Sequence, residues 1–556
     1  MTPVHQLGVS DVLILAAGFW LVTKVVRRIA SRSSQGTKLD GPPSESLIFG
    51  LNRKIAGATD SGLLYQEWAA RYGPVFEIPT AFGGRKVILC DPKAVNHFYS
   101  MERTIYIKGK LIRAVVANLF GRGLLWAEGE SHKRQRKALT PAFSNAAIRR
   151  LTQVFYDSAY KLKGHWEAII DNAPPEGAII DVEHWMNRVA LDSIGIAGFS
   201  HDFQTLDGRY SAVAAAFDAL NFEGQSFLST LVFLLGAQFP FLANLPSKRN
   251  RIQTNLRRTM SGIADELLES TRREKKSHVT DETVDRSIIG LLLKAEEEDA
   301  ELRMDEAEVL AQQVECLTTG WCALSRPYTS WCSTLTGYET TSISLTWALI
   351  ELARQPEKQA KLREEIKQFG ATDPTWDQLG SALPYLDSVV LETLRLHPPL
   401  ADTTRQAIAD DVVPVSKPVT TASGEVVDSI VIAKDTIVTV SIRLMNQSEA
   451  FWGANAKEFE PERWLTLADE PLRAKEIQGH RHLITFLDGP RTCLGKSFAL
   501  AEFKAVLSVL IRNFTFEFPD GPGTEIVRHR ALIPRPKVAG QPGGQCAYEG
   551  RTRRVT

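Results

Sequence analysis

A single cysteine near the end of the chain stands in a segment that narrows the possible folds more than any other. The segment reads Phe486-Leu-Asp-Gly489-Pro-Arg491-Thr-Cys493-Leu-Gly495. It leads directly into a helical pattern from Phe498 to Phe514. The N–H groups and the positive dipole end of that helix are expected to lower the pKa of the Cys493 thiol and to temper the charge of its thiolate. A thiolate presented in this way predicts a ligand for haem iron.

The other fixed residues of this segment suit a haem site. Phe486 can pack beneath the macrocycle, and Arg491 can donate to one of its carboxylates. Gly489 and Gly495 let the backbone turn tightly and lie close to a flat ring. A buried structural cysteine is the usual interpretation of a lone cysteine. We reject it here, because these five fixed residues co-occur by chance in roughly one of ten thousand chains of this length and composition.

Two further motifs precede the cysteine segment. Glu392 and Arg395 lie three residues apart in a helical pattern that Pro398 ends, so they share one face. Further along comes Phe459-Glu-Pro-Glu-Arg463-Trp464. With these motifs in order, the chain resembles the cytochrome P450 family of haem-thiolate monooxygenases along nearly its whole length. The resemblance implies that Arg463 joins Glu392 and Arg395 in a buried charge network, whereas an isolated pair of this kind would be a surface ion pair.

The resemblance implies a haem b cofactor, whose two carboxylates need cationic partners. Besides Arg491, it nominates His132, Arg136 and Arg405 for this role. The fork of an arginine matches a carboxylate. His132 stands where many family members carry tryptophan, which sets it apart from Arg136.

Further basic residues surround Arg136 in the sequence or lie near the loop that carries Cys493. They are Lys133, Arg134, Lys137, Lys496 and Lys504. A solvated helix face is the ordinary interpretation of such a run. The alternative is a docking surface for an acidic redox partner, which electrostatic attraction would steer to it. The partners that the resemblance implies are NADPH-cytochrome P450 reductase and, as an optional second donor, cytochrome b5.

One segment predicts the residues that take part in the activation of dioxygen. It is Thr336-Gly-Tyr-Glu339-Thr340-Thr341, and it precedes an apolar helical pattern. This resembles the acid–alcohol pair of the family's distal helix. Reducing dioxygen requires two protons, which the Thr340 hydroxyl and the Glu339 carboxylate can relay through water. Alone, these residues would be ordinary members of a helix surface. Thr336 departs from the small residue that is usual at its position.

The distal helix is interrupted in this sequence. A helical pattern covers Asp305–Gly320, but Trp321–Gly337 intervene before Tyr338 and have no helical apolar period. Without them, the two flanks would join into one long helix. We therefore expect either a retained intron in the gene or a loop extruded from the helix. A disulfide or metal pair formed by Cys322 and Cys332 is a third alternative.

Length and composition agree with one large globular domain. The chain has 556 residues, 44% of them hydrophobic, and a formal net charge of zero, which argues against a nucleic-acid-binding protein. Its six cysteines have no regular spacing and predict no disulfide framework, as suits a cytosolic compartment. The fold class expected is mainly α with a minor β region, which is the cytochrome P450 fold.

Periodicity predicts individual elements of this fold. Helical patterns cover 146–167, 251–273, 305 onward, 356–369 and 383–397. Strand patterns lie in 75–89 and 410–440, where Ala422-Ser-Gly424 marks a hairpin turn. The segments 41–50 and 529–540 look most like those of basidiomycete members of the family.

The N-terminus predicts a membrane anchor. Residues 12–23 are apolar and shorter than an ideal span, and basic residues follow them: Lys24, Arg27, Arg28 and Arg32. No basic residue precedes the run, as one would in a cleaved signal peptide. The positive flank should stay in the cytosol. We expect an anchor over 1–28, a linker and proline-rich hinge over 29–45 and a catalytic domain over 46–556. This arrangement is a single-pass protein of the endoplasmic reticulum with a cytosolic catalytic domain.

A second apolar region spans 227–235 and 239–242. It is either a core helix or, as in the family, a segment over the access channel that touches lipid. Either interpretation suggests a lipophilic small-molecule substrate, and the resemblance suggests a terpenoid of secondary metabolism.

Three functions remain open from the sequence. The first is a reductase-fed monooxygenase that hydroxylates or epoxidises its substrate. The second is a haem-thiolate isomerase or dehydratase, which Glu339 and Thr340 argue against because such enzymes need no distal protons. The third is a non-catalytic haem or lipid-binding protein, inactivated by the insertion.

Overall fold

The structure is a computed structural model that describes residues 36–46, 48–58, 61–175, 177–209, 258, 262–269, 272–273, 290, 303–318, 338–467, 473–529, 533–540 and 549–555. The predicted anchor over 1–28, the predicted insertion over 321–337 and the second apolar region over 227–242 lie outside these residues, as does most of the predicted helix over 251–273.

Helices make up about half of the described chain. In order they are α1 Asn52–Gly57, α2 Ser61–Tyr72, α3 Pro92–Ser100, α4 Lys110–Leu119, α5 Gly129–Leu139, α6 Asn145–Asp171, α7 Val182–Phe199, α8 Glu306–Thr318, α9 Tyr338–Arg354, α10 Pro356–Lys367, α11 Trp376–Ser381, α12 Pro384–Leu396, α13 Ile442–Gln447, α14 Glu449–Trp452, α15 Arg463–Thr466 and α16 Lys496–Asn513.

The strands form small sheets. They are β1 Val75–Pro79, β2 Arg85–Leu89, β3 Tyr106–Ile107, β4 Ala178–Asp181, β5 Thr403–Ala407, β6 Asp411–Thr420, β7 Val426–Ile432, β8 Ile437–Val440, β9 Phe514–Glu517, β10 Ile526–His529, β11 Arg535–Val538 and β12 Glu549–Arg554. One sheet has the order β1-β2-β8-β5-β3 and a second the order β4-β12-β9. The strand pairs β6-β7 and β10-β11 each form a separate two-stranded sheet. Only β2 and β8 pair in parallel among the described strands.

Local sequence signals explain where the main helices begin. The Ser144 side chain accepts a hydrogen bond from the Ala147 N–H at the start of α6, which satisfies one of the free donors of the first turn. Helices α10 and α12 begin at Pro356 and Pro384, where the missing N–H costs nothing. The helix α16 is buried along most of its length because its residues are apolar on every side, so it lies at the centre of the domain.

Aromatic contacts hold the helix after the cysteine segment in place. The Phe498 ring meets the Phe155 ring of α6 edge to face, with centroids 4.9 Å apart. At the other end of α16, Phe514 packs against Trp166, with centroids 5.5 Å apart. Such pairs add about 0.5–1.5 kcal/mol each to the burial of their surface. The distal helix α9 packs mainly against α7 and also contacts α16. The cysteine segment is thereby fixed opposite α9.

The predicted fold class, mainly α with a minor β region, is confirmed. The helix expected over 146–167 runs from Asn145 to Asp171, and the one expected over 498–514 runs from Lys496 to Asn513. The predicted hairpin is formed by β6 and β7. Gly424 in its turn has φ +85°, a conformation that favours glycine.

The residues just before the expected catalytic domain already contact it. The Thr37 N–H donates to the Val431 carbonyl at 2.9 Å, and the Glu77 N–H donates to the Asp40 carbonyl at 3.0 Å. Leu39 between them is buried. Packing contacts of the domain therefore begin within the segment 36–45. Among the described residues, no helix is both long and apolar enough to cross a membrane.

Candidate functional site

The cysteine segment forms a tight loop immediately before α16. The Cys493 N–H donates to the Phe486 carbonyl at 2.8 Å, which closes the loop. Gly489 has φ +64°, and a Cβ atom there would lie 2.6 Å from the backbone oxygen of Tyr99. A side chain at this position is excluded by both the backbone conformation and the neighbour. Gly495, by contrast, has no protein atom closer than 3.9 Å to an added Cβ and faces the cavity described below.

Burial controls the acidity of the Cys493 thiol. Its pKa is raised, because desolvation of the thiolate outweighs the hydrogen bond from the Gly495 backbone and the positive charges of Arg136 and Lys496. The predicted lowering by the helix end was therefore wrong as a net effect. The favourable contributions exist, but the protein alone does not offset the cost of burying the anion. A coordinated metal cation would do so, since a metal-bound thiol is deprotonated.

A cavity opens between the Cys493 loop and α9. Its walls are mostly apolar, with Leu124, Leu125, Ile194, Leu400 and Phe498 among the lining residues. Phe486 lies in the same wall as Cys493. From the opposite side, α9 contributes the hydroxyl groups of three residues, Thr340, Thr341 and Ser344. The cavity thus has a thiol on one wall and hydroxyls on the other, with hydrocarbon between them.

One end of the cavity is cationic. Four basic residues line it: Lys108, His132, Arg136 and Arg491. The pKa of Lys108 is lowered to about 7, by burial first and by the charge of Arg491 second. Burial and the same charge lower the pKa of His132 to about 2, so its imidazole is neutral. An anion placed here would be attracted by a concentrated positive field.

Two carboxylates accompany these cations, Glu102, which is fully buried, and Glu128, which is partly buried. Arg491 forms an ion pair with Glu128 and donates to the Ala127 carbonyl at 3.3 Å. Arg405 pairs with Glu102 at 2.9 Å and donates to the Thr403 hydroxyl at 2.9 Å. Arg405 is not among the residues that line the cavity, although its charge lowers the pKa values of both Lys108 and Arg491. It lies in the layer behind the wall.

These residues fit a haem. Two buried nitrogens of residues that line the cationic end have no hydrogen-bond partner within the described residues, Nε of Arg491 and Nδ1 of His132, and Nε of Arg405 behind the wall has none there either. Buried donors normally have acceptors, and the two carboxylates of a haem are acceptors. The apolar walls match its flat ring, and Cys493 is the thiol that its iron would bind.

The acid of the predicted distal pair is held away from the cavity. Glu339 is fully buried, and its Oε1 accepts two hydrogen bonds from Arg535 of β11, at 2.6 Å from Nη2 and 3.1 Å from Nε. Arg535 also pairs with Glu183 of α7 at 3.2 Å. Thr340 lines the cavity, whereas Glu339 does not.

The predicted charge network lies beside the cysteine segment. Glu392 and Arg395, both fully buried, form two hydrogen bonds of 2.8 Å, and Arg463 Nε lies 3.5 Å from Glu392 Oε1. The Trp464 indole N–H also donates to Glu392, at 2.9 Å. Every oxygen of this carboxylate is therefore paired, as a buried charge requires.

The network connects to the cavity wall through an amide. Arg395 Nη1 donates to the Asn446 carbonyl at 2.8 Å, and the Asn446 side chain donates to the Thr485 hydroxyl at 2.8 Å. Thr485 lines the cavity immediately before Phe486. The charge network thus supports the loop that carries Cys493.

The predicted basic patch is smaller than the sequence suggested. Lys504 is buried, with its ammonium 2.6 Å from Asp387 Oδ1 and donating to the Leu379 carbonyl at 2.9 Å, so its assignment to an exposed patch was wrong. The reason is that α16 is central, so even its charged residues face neighbouring helices. Arg134 is partly buried and paired with Glu308 at 2.6 Å. Lys133 and Lys137 remain exposed.

Sequence reasoning missed three residues of this region. Lys108 follows β3, and no motif signals that its ammonium reaches the cavity. Arg535 lies in a tail segment noted only for its similarity to fungal proteins. Glu502 lies within the apolar pattern after Cys493, where a single acid among hydrophobic residues was the available signal. The contacts of all three join segments far apart in the chain.

Known proteins resemble this chain over its whole length. The family model described as Cytochrome P450 matches residues 41–326 and 329–539. Cytochrome P450 monooxygenase claP of Ampulloclitocybe clavipes is 55% identical over 100% of both chains. Ganoderic acid synthetase CYP5150L8 of Ganoderma lucidum is 32% identical over 92% of this chain and 94% of its own. The crystal structure of a cytochrome P450, CYP102L1, has a TM-score of 0.68 over 94% of this chain and 100% of its own; at 20% identity it shows the shared fold.

Proposed function

This chain belongs to the cytochrome P450 family, as its resemblance to basidiomycete members predicted, and we propose that it oxygenates a lipophilic small molecule with electrons from NADPH-cytochrome P450 reductase. Its full-length relatives are named monooxygenases, so the enzyme class is that of a cytochrome P450 monooxygenase. The observation that carries the proposal is the arrangement of thiol, cations and hydroxyls around one apolar cavity.

The residues of the cysteine wall have separate tasks in this proposal. Cys493 would bind the iron of haem b as its axial thiolate, with Phe486 packed against the ring. Arg491, Arg136, His132 and, newly, Lys108 would hold the carboxylates, with Arg405 adding charge from behind. The bound haem supplies the centre at which dioxygen is reduced and one oxygen atom is passed to the substrate.

The residues of the opposite wall would handle protons. Consumption of dioxygen, two electrons, two protons and one C–H or C=C substrate yields oxygenated product and water. The Thr340 hydroxyl can accept a hydrogen bond from water while donating its own proton into the cavity. Glu339, fixed by Arg535, would orient that water by its charge. The apolar walls exclude bulk water, which strengthens every such interaction.

The nature of the walls supports a lipophilic substrate. Outside its cationic end, the cavity presents mainly aliphatic and aromatic side chains, and such a wall binds hydrocarbon without leaving polar groups unpaired. One relative, from Ganoderma lucidum, is named ganoderic acid synthetase. We therefore propose a terpenoid of secondary metabolism as the substrate class.

The proposed electron donor and location rest on charge and hydropathy. Exposed Lys133 and Lys137 stand on α5, the helix that also carries Arg136 into the cavity, so an acidic reductase surface docked there would lie near the haem. The apolar run before Lys24, with its positive flank, supports an anchor over 1–28 in the endoplasmic reticulum and a cytosolic catalytic domain.

The thiolate assignment is tested with two cysteine variants. Cys493→Ala should remove the thiolate-type band from the carbon monoxide difference spectrum of the reduced protein. Cys90→Ala is the matched control, because Cys90 is also a free cysteine but does not line the cavity. Its variant should keep the band. Retention of the band by Cys493→Ala would refute the assignment.

A reconstitution assay separates the proposed function from its alternatives. The enzyme in vesicles with NADPH-cytochrome P450 reductase should oxidise NADPH and form oxygenated product, and Thr340→Ala should release more hydrogen peroxide per NADPH. An isomerase or dehydratase would convert substrate without NADPH. A non-catalytic protein would give no product in either condition.

A further inference from the structure

A stacked pair of rings behind the cavity wall joins segments that are far apart in the chain. Trp347 of α9 and His397, which follows α12, lie face to face, with ring centroids 4.0 Å apart and an angle of 5° between their planes. The guanidinium of Arg528 on β10 lies 5.0 Å from the centre of the Trp347 ring. Aromatic pairs prefer an offset or edge-to-face arrangement with a greater separation, so other contacts must hold this stack.

Hydrogen bonds fix both nitrogen atoms of the His397 ring. Arg528 Nη2 donates to Nδ1 at 2.9 Å and to the Leu396 carbonyl at 3.0 Å. Because a guanidinium can only donate, Nδ1 is the acceptor, and the proton of the neutral ring lies on Nε2. Nε2 then donates to Glu351 Oε1 at 2.8 Å. Burial lowers the pKa of His397 to about 4, although the hydrogen bond with Glu351 acts in the opposite direction, so the ring is neutral at pH 7.

A single residue separates the His397 ring from the wall of the cavity. Pro398 follows His397, and the next two residues, Pro399 and Leu400, line the cavity. Each proline ring locks its own φ angle, and Pro398 also restricts the backbone of His397. The segment is therefore a stiff connection, and a displacement of the His397 ring is passed on to the wall.

A second contact holds the β10-β11 hairpin against the distal helix. Arg535 of β11 pairs with Glu339 at 2.6 Å, near the start of α9. Trp347, which Arg528 contacts, lies about 12 Å further along the helix axis. Between these two points, Ser344 lines the cavity. The hairpin is thus fixed to α9 at two separate points, which makes it a firm support for the segment after α12.

We propose that Arg528 and His397 are positioning residues that hold the Pro399–Leu400 wall in place and thereby determine how an apolar ligand is oriented in the cavity. Neither side chain lines the cavity, so both act through the wall. The proposal rests on the proposed function in one respect, which is that a haem and an apolar ligand share this cavity. The alternative role for the two residues is stabilisation of the fold alone.

Three nitrogen ligands of different shape test this role in the haem-loaded protein. Imidazole, 1-phenylimidazole and 4-phenylimidazole all bind haem iron through a ring nitrogen and shift its absorption band. The two phenyl compounds also place a second ring against the walls, each in a different direction. The ratio of the dissociation constant of a phenyl compound to that of imidazole therefore reports on the walls, because a general weakening of the haem site cancels in the ratio.

His397→Phe keeps a flat ring beside Trp347 but removes both hydrogen bonds. Its ratio should change about tenfold for at least one phenyl compound, which is the effect of one methylene of contact in an apolar pocket. The dissociation constant of imidazole itself should stay at the wild-type value. Arg528→Leu should reproduce these changes, and the double variant should add nothing, because the two residues act through one contact.

Two further variants separate the two hydrogen bonds of the ring. In His397→Asn the amide oxygen can replace Nδ1 as the acceptor for Arg528, whereas in His397→Gln the amide nitrogen can replace Nε2 as the donor to Glu351. Since the bond to Arg528 joins the wall segment to β10, His397→Asn should keep most of the wild-type ratios and His397→Gln should not. If His397→Phe fails to load haem, these two variants carry the comparison.

Two controls accompany the binding measurements. His97→Phe is the matched variant, since His97 Nε2 makes a comparable hydrogen bond of 2.9 Å to Asp411 but does not line the cavity. It should leave all three dissociation constants unchanged. Nitrogen NMR of isotope-labelled histidine in the carbon monoxide complex should show His397 with a proton on Nε2 and none on Nδ1. A proton on Nδ1 would exclude the bond from Arg528 and overturn the proposal.

The outcomes distinguish this proposal from the function on which it rests. If His397→Phe and Arg528→Leu lower the urea midpoint but keep both ratios, with imidazole bound normally, the network only stabilises the fold and this proposal alone is wrong. If wild-type protein gives no spectral shift with imidazole, the haem site on which both proposals rest is absent, and both fail.

Discussion

Glu392 is expected to be a carboxylate on which the stability of the haem side of the domain depends strongly. It is fully buried and accepts two hydrogen bonds of 2.8 Å from Arg395, one of 2.9 Å from the Trp464 indole and one of 2.9 Å from the Glu460 N–H. Glu392→Gln keeps the volume but removes the charge. The fully buried Arg395 guanidinium would then lack its counter-ion. Breaking a buried pair in this way costs about 3–5 kcal/mol.

Two other variants provide references for the expected loss of stability of Glu392→Gln. Trp464→Phe removes one donor and leaves the charges intact, so it should cost about 1–3 kcal/mol. Glu449→Gln removes the partner of Lys457 from a 3.0 Å ion pair whose side chains are 59% and 60% exposed. An exposed pair contributes only about 0–1 kcal/mol. The expected order of destabilisation is therefore Glu392→Gln, then Trp464→Phe, then Glu449→Gln.

Urea unfolding of the haem-loaded protein measures this order. Tryptophan fluorescence reports the fold, and the haem absorption band reports the cysteine loop. Because Arg395 is linked through Asn446 to Thr485 beside Phe486, the haem signal of Glu392→Gln should be lost at lower urea than its fluorescence changes. If Glu392→Gln unfolds at the same urea concentration as Glu449→Gln, the charge network does not contribute as we infer.

Three more predictions concern the loop, the anchor and the insertion. Gly489→Ala should destabilise the haem-loaded protein by about 2–4 kcal/mol, because it combines a positive φ with a Cβ 2.6 Å from the Tyr99 oxygen. Gly523→Ala is the control. No atom lies within 4 Å of a Cβ added there, so this variant should leave the urea midpoint unchanged. Residues 1–40 fused to a reporter should hold it on the cytosolic face of the endoplasmic reticulum, and a glycosylated or secreted reporter would contradict this. A protein lacking residues 321–337 should bind haem at least as well as the full-length chain and form product faster, since even a 1 Å displacement of a catalytic group can cost about a hundredfold in rate. Equal rates for the two proteins, together with the insertion in messenger RNA, would refute the intron hypothesis.

The parts of the fold that could be predicted are those that short-range signals determine. The strands around Gly424 follow from β-branched residues flanking a turn that needs a positive φ. The helices starting at Pro356 and Pro384 follow from proline at a first helical position. The cysteine segment could be recognised because its spacing alone sets the loop geometry. In each case the residues that act together are close in the sequence.

Burial and long-range pairing explain what could not be predicted. The raised pKa of Cys493 depends on how deeply the folded chain buries it, which spacing does not reveal. Lys504 resembles a surface lysine in the sequence, yet its partner Asp387 belongs to a different helix. The same holds for Lys108, whose pKa is lowered first by burial and second by the charge of Arg491, far along the chain.

The two acids near α9 show how the same side-chain chemistry acquires different roles. A carboxyl group gives up a proton readily only if it holds one at the working pH, and its surroundings decide this. Arg535 provides Glu339 with a counter-ion, which favours the anion and suits a group that orients water. Glu502 has hydroxyl neighbours that cannot neutralise a charge, so burial keeps it protonated. An acid–alcohol motif in the sequence identifies the helix that faces the cavity, but it does not identify the charge state of each acid nearby. That property depends on whether the fold brings an arginine or a hydroxyl to the carboxyl group.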